Sequence, residues 1–162
     1  MELKGLQDED FVNYKKPSMF IGTAKCDWKC CTELGMDDSM CQNSTLASTK
    51  SIDIPVNEIV HRYINNPITQ AIVIGGLEPM LDISDVCALI YILRENDIDD
   101  DVVIYTGYYP NEISTQINAL KYCAQKNLII KYGRYIPNQT PHYDEVLGVN
   151  LASNNQYAER IC

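Results

Sequence analysis

The chain has 162 residues, 46% of them hydrophobic, enough for one sizeable core and too little for a second independent domain. Its formal net charge of -9 leaves no surplus of Lys and Arg to neutralise phosphates, which argues against nucleic acid as a partner. Met1-Glu2-Leu3-Lys4 lacks the apolar stretch of a signal peptide and no later segment approaches the length of a membrane span, so a cytoplasmic location without a membrane partner is expected.

A polar leader precedes the short apolar run Met19-Phe20-Ile21-Gly22, which we take as the first strand. A polar, cysteine-rich loop follows, from Cys26 to about Ser48. Pro55 then stands where a first helical turn tolerates it, and Val56, Ile59, Val60, Tyr63 and Ile64 recur at helical spacing. Ala71-Ile72-Val73-Ile74 is a continuous apolar run ending at Gly75-Gly76, the pattern of a strand buried on both faces. The alternation repeats. A helix carries Ile83, Val86, Cys87, Ile90 and Leu93; Val102 to Tyr105 forms a strand ending at Thr106-Gly107; a helix carries Ile113, Ile117, Leu120 and Ala124; and Leu128-Ile129-Ile130 forms a strand ending near Arg134. A fifth strand is expected within Glu145 to Leu151, and the acidic run Asp97 to Asp101 reads as a solvated turn.

This order predicts an α/β fold: a single domain, residues 1–162, of β-α-β units around a mainly parallel sheet, open or curved. We take the curved form, a partial (β/α) barrel. Ligands of such sheets bind at the carboxyl ends of the strands. The cysteine loop, Gly75 to Pro79, Thr106-Gly107 and Arg134 all fall at that edge.

Seven cysteines, four of them between 26 and 41, form an odd count that fits metal ligation better than disulfides in a reducing compartment. Cys87 and Cys123 lie in helical patterns and read as small core residues, and His61 and His142 receive no catalytic role. Three thiolates on one loop can hold three corners of a cubane cluster and leave the fourth iron open to a chelating ligand. Structural zinc is the alternative, but adjacent Cys30 and Cys31 break the pair of short knuckles that such sites use.

Cys26-x₃-Cys30 resembles the start of the Cys-x₃-Cys-x-aromatic-Cys signature of the radical S-adenosylmethionine enzymes. Position 33 is Glu, and the signature is restored by an insertion of eight residues that makes Cys41 the third ligand, with Cys31 its rival. The resemblance implies a [4Fe-4S] cluster on Cys26, Cys30 and Cys41 within a loop spanning 26–43, and S-adenosylmethionine as second cofactor. It places Met40 against the adenine and matches Asn43 to an Asn two places beyond the last cysteine. Gly75-Gly76-Leu77-Glu78-Pro79 is similar to the Gly-Gly-Glu-Pro motif that binds the methionine amino group, with Leu77 added.

Tyr105-Thr106-Gly107-Tyr108 resembles the Trp-Thr-Gly-Tyr segment of the activating enzymes of anaerobic ribonucleotide reductases, and Tyr132-Gly133-Arg134-Tyr135 their Asp-Gly-Lys-Phe. Arg134 then replaces the Lys that pairs with the substrate carboxylate. Leu147 to Asn150 and Ser153 to Gln156 are similar to their C-terminal strand and Ser-Ser-Asn-Gln segment, so the likeness runs from Phe20 to Gln156. It implies reductive cleavage of S-adenosylmethionine to a 5′-deoxyadenosyl radical, an external one-electron donor such as flavodoxin or ferredoxin, and hydrogen abstraction from a glycine of a large reductase subunit. A chain this short has little material for a lid, so the partner is expected to supply the missing wall. A radical enzyme acting on a small molecule, similar to the deazaguanine-forming enzymes, and a non-catalytic metal-binding protein are the alternatives.

Overall fold

In a computed structural model covering residues 1–162, the apolar runs form the centre of a seven-stranded sheet. The strands β2 (Ser18–Thr23), β4 (Ala71–Gly76), β5 (Asp101–Tyr105) and β6 (Leu128–Tyr132) pair in parallel in that order. The helices α3 (Val56–Ile64), α4 (Ile83–Glu95) and α5 (Ser114–Ala124) connect them, as the helical spacing predicts. Two further short helices, α1 (Lys29–Leu34) and α2 (Ser44–Ser48), lie within the cysteine-rich segment.

Because side chains alternate across a strand, each parallel strand serves two faces. Ile72, Ile74, Val102, Ile104, Leu128 and Ile130 join residues of α3, α4 and α5 in a core of 21 buried residues. Each fully buried aliphatic side chain there contributes about 1.5–3 kcal/mol. The intervening residues Ala71, Val73, Val103 and Ile129 form the opposite face and pack against Tyr14, Leu147 and Leu151. The helices back one face and the other is left to a short hairpin and a cavity, the arrangement of a partial barrel.

The structure departs from the expected strands at both edges. The polar leader is β1 (Glu2–Asp10), antiparallel to β2, and its outer edge carries the two-residue β3 (Ile52–Asp53). Only Leu3 of β1 is fully buried and apolar, so its local pattern carries little signal, and pairing with β2 makes it a strand. The segment expected as a fifth strand instead forms half of a hairpin, β7 (His142–Asp144) with β8 (Val149–Leu151), in a separate two-stranded sheet. The far edge of the main sheet is β9 (Tyr157–Arg160), antiparallel to β6. Asp144 ties the two together, its carboxylate accepting from the Leu147 N–H at 2.9 Å and the Ala158 N–H at 3.0 Å.

Asp101 also departs from the solvated turn in which it was placed. It is 5% exposed at the start of β5, where Lys16, Arg160 and the Tyr14 hydroxyl converge on its carboxylate. Cys87 and Cys123 pack against the main core. No helix is long and apolar enough to cross a membrane.

Candidate functional site

Across the inner face, Phe20, Val73, Val103 and Ile129 form one row of paired residues. The next row toward the carboxyl ends contains Gly22 beside Gly75, and Tyr105 beside Lys131. Above it lies a cavity of about 310 Å³. The glycine pair clears one side of its floor, and Tyr105 and Lys131 fill the other. Gly76 is required by contact as well as conformation: its φ is +83°, and a Cβ there would stand 2.7 Å from Gly22 Cα.

The cysteine loop covers the mouth. Cys26 lies in the extended stretch after β2 and accepts from the Trp28 N–H at 3.3 Å. Trp28 then turns the chain through a left-handed conformation, φ 56°, into α1. Residues adjacent on a helix point about 100° apart, so Cys30 and Cys31 face different surroundings although their sulfurs stand 4.0 Å from each other. Cys30 lines the cavity, while Cys31 is fully buried beneath the loop. A 3₁₀ turn over Asp38–Met40 then delivers Cys41 to the same cavity, with the Asn43 N–H donating to its sulfur at 3.4 Å.

Cys26, Cys30 and Cys41 thus share one wall, and Cys31 stays out of it. Cys30 and the Asn43 N–H draw Cys41 down to about 6 against the opposing effect of burial. Cys30 is raised correspondingly, and burial pushes Cys26 up to about 11.

The motif at the end of β4 meets the one at the end of β5 through a single carboxylate. Glu78 is 6% exposed and accepts from the Met80 N–H at 3.0 Å, the Thr106 hydroxyl at 2.8 Å and the Gly107 N–H at 2.9 Å. Burial nevertheless lifts it to about 7. One of its roughly four acceptor positions stays available toward the cavity. Asn43 reaches across from the cysteine loop and donates to the Gly76 carbonyl.

Of the residues singled out from sequence, the cavity gathers Cys26, Cys30, Cys41, Asn43, Gly75 to Glu78 and Thr106. Met40 stands apart, 54% exposed on the 3₁₀ turn and outside the cavity lining. Arg134 is also outside the lining. Its guanidinium is held by Glu112 at 2.7 and 2.9 Å and by Glu33 at 2.7 and 2.8 Å, over the Tyr109 ring. Glu112 is thereby held well below the usual carboxylate range, first by Arg134 and then by Lys29.

The residue that sequence reading missed is Lys131, 6% exposed and in the cavity lining. Its signal was present as a lone cation in Leu128-Ile129-Ile130-Lys131-Tyr132, on the face of Ile129 by strict alternation. Gln156 was noticed only as part of a motif, and it too lines the cavity, donating to the Gly133 carbonyl at 3.3 Å.

Residues 20–156 match the family described as a 4Fe-4S single cluster domain. The chain belongs to that family. No curated protein and no solved structure matches it. The donor set fits the single cluster that names this 4Fe-4S family. No three His, Cys, Asp or Glu side chains converge on one point as a lone zinc ion requires, whereas a cubane takes each thiolate on a different iron. Cys26, Cys30 and Cys41, the three cysteines of the cavity lining, would hold three irons of such a cluster and leave the fourth for another ligand.

Proposed function

We propose that this 4Fe-4S single cluster protein is a radical S-adenosylmethionine enzyme, with Cys26, Cys30 and Cys41 as cluster ligands. When bound, the cluster supplies one electron to the sulfonium of S-adenosylmethionine, and methionine and a 5′-deoxyadenosyl radical result. The observation that carries this reading is the meeting of those three cysteines with the ends of β4, β5 and β6 around one cavity.

The residues of the chain bind and shield. The Gly75 and Gly76 edge lets a ligand approach the backbone closely, and the free acceptor position of Glu78 suits an ammonium group. Phe20, Tyr105 and Leu77 line the cavity and keep water from the reacting centre. Thr106 and Gly107 hold Glu78 in place.

The radical is passed, in this reading, to a backbone glycine of a large anaerobic ribonucleotide reductase, and a flavodoxin or ferredoxin supplies the electron. The modest size of the cavity supports an outside acceptor. The hairpin of β7 and β8 walls the inner face with Val149 and Leu151, and at about 310 Å³ the cavity is at the small end of the range for ligand pockets.

The test is anaerobic reconstitution with iron and sulfide, followed by dithionite and S-adenosylmethionine. Equal amounts of methionine and 5′-deoxyadenosine are expected, and adding the reductase subunit should give a glycyl doublet by electron paramagnetic resonance. A fully loaded cluster that yields no 5′-deoxyadenosine sinks the radical assignment. Cleavage without a glycyl signal sinks the partner.

A further inference from the structure

We infer that the electron donor docks in a groove behind the cysteine loop, where Trp28, Leu77 and Leu81 lie between Lys4 and Lys25, and that its occupant is a small acidic flavin carrier of the flavodoxin type. The inference rests on the reading proposed above and adds to it the surface at which the electron enters.

The groove is distinct from the cavity. Its lining comes from β1, the stretch after β2, α2 and the turn that leads from β4 to α4, and only Cys26 and Leu77 belong to the cavity lining as well. Those two residues form the partition between the spaces. Cys26 is partly exposed, so a cysteine that would hold the cluster is reached from the groove without passing through the cavity.

That second approach matters because the cavity is already committed. In the proposed reading the cofactor fills it and the radical acceptor covers its mouth. Electron transfer through protein falls off steeply with distance, so the donor must dock where little protein lies over the cluster. Behind Cys26, the groove is such a place.

The lining selects the partner. Trp28 is half-buried and Leu81 is 41% exposed, which leaves an apolar floor open to solvent. Exposed aromatic and apolar side chains beside cations are the composition of a docking surface. Lys4 and Lys25 are the only charged residues in the lining, on a chain with 22 acidic and 13 basic side chains. Lys25 is paired with Asp82 at 2.5 Å, whereas Lys4 forms no ion pair and donates to the Thr49 carbonyl at 2.7 Å. An uncompensated cation beside an aromatic floor suits a carrier with an acidic rim around a flat apolar ring edge, which is what an exposed flavin presents. One electron passes from the reduced flavin to the oxidised cluster; no bond forms and no proton moves.

The experiment measures binding of oxidised flavodoxin to anaerobically reconstituted protein by calorimetry at low and raised salt. It also measures 5′-deoxyadenosine formed with reduced flavodoxin or with dithionite, a small dianion that needs no docking surface. Wild-type affinity should fall as salt is added. Lys4→Glu should weaken binding roughly 3-fold to 10-fold, and Leu81→Glu, which sets a charge in the apolar floor, roughly 10-fold or more. Flavodoxin-driven cleavage should fall in step, while iron and sulfide content and dithionite-driven cleavage stay at the wild-type level.

No binding of flavodoxin, or equal binding in wild type and both variants, overturns the assignment. A ferredoxin that binds in its place, and is weakened by the same two substitutions, overturns the choice of carrier. Binding that both variants weaken, with no 5′-deoxyadenosine from a fully loaded cluster under either reductant, overturns the radical reading and leaves the docking surface standing.

Discussion

The parallel strands and the cysteine loop are stabilised by different forces. In β4, β5 and β6, nearly every side chain is buried between the helical layer and the inner face, and apolar burial sets the geometry. Between Ala24 and Lys50, Cys31 is the only buried residue. That loop is held to the sheet by polar ties: the Tyr108 hydroxyl donating to Asp27, Lys29 with Glu112, Arg134 with Glu33, and Asn43 on Gly76. The scaffold can therefore form without the cluster, while the loop relies on a few charge-assisted contacts and on whatever its thiolates bind.

The sharpest way to break this contrast is through the thiolates. Cys30→Ala and Cys41→Ala should each leave the protein folded but without bound iron and sulfide, and reduce S-adenosylmethionine cleavage to background. Cys31→Ala should retain the cluster and cost only about 1 kcal/mol, the loss of a small buried group. Iron and acid-labile sulfide per chain decide the matter; a cluster retained in Cys41→Ala and lost in Cys31→Ala would exchange the two assignments.

On the scaffold side, Ile104→Ala opens a hole in a central strand and should cost about 2–5 kcal/mol in urea unfolding. Leu34→Ala, on the half-exposed end of α1, should stay under about 1 kcal/mol. Comparable losses for both would remove the distinction between the two regions.

Glu78 joins the regions and gives the cluster-free protein a pH signature. Burial raises its carboxyl from an ordinary value of 4.5 to about 7, so the folded chain binds that proton more tightly than the unfolded chain. The contribution of Glu78 to stability should be full below about 4.5, fall as pH rises through that window, and level off above about 7. Glu78→Gln should flatten the slope in chemical denaturation measured across that range.

The smallest effect belongs to the clamp that Glu112, Arg134, Glu33 and Lys29 form between α1 and the sheet. Glu112→Gln leaves Arg134 and Lys29 with Glu33 alone. Global stability should change by less than about 1 kcal/mol, while trypsin cuts the loop of the cluster-free protein several-fold faster. Unaltered cleavage would mean that the loop is held elsewhere.

Much of this was legible from the chain. The continuous runs at Ala71, Val102 and Leu128 announced buried parallel strands because a strand covered on both faces needs apolar residues at every position. The concentration of cysteines between 26 and 41 announced a metal-binding loop, and the ends of the same strands announced where a ligand lies. The strand β1 was not legible, since a sparsely apolar edge strand exists by virtue of its neighbour.

The sequence by itself determined the scaffold and the donor atoms. Only the tertiary structure decided which donors face the cavity. Periodicity reports the faces of a single element; it is silent on which residues distant in the chain will meet. Cys31 and Cys41 look alike in sequence, but one turn of α1 buries the first and a 3₁₀ turn presents the second. Arg134 and Lys131 are two basic residues near the end of one strand. Pairing of Lys29 with Glu112 and of Glu33 with Arg134, across 83 and 101 residues of chain, takes Arg134 into the clamp and leaves Lys131 facing the cavity.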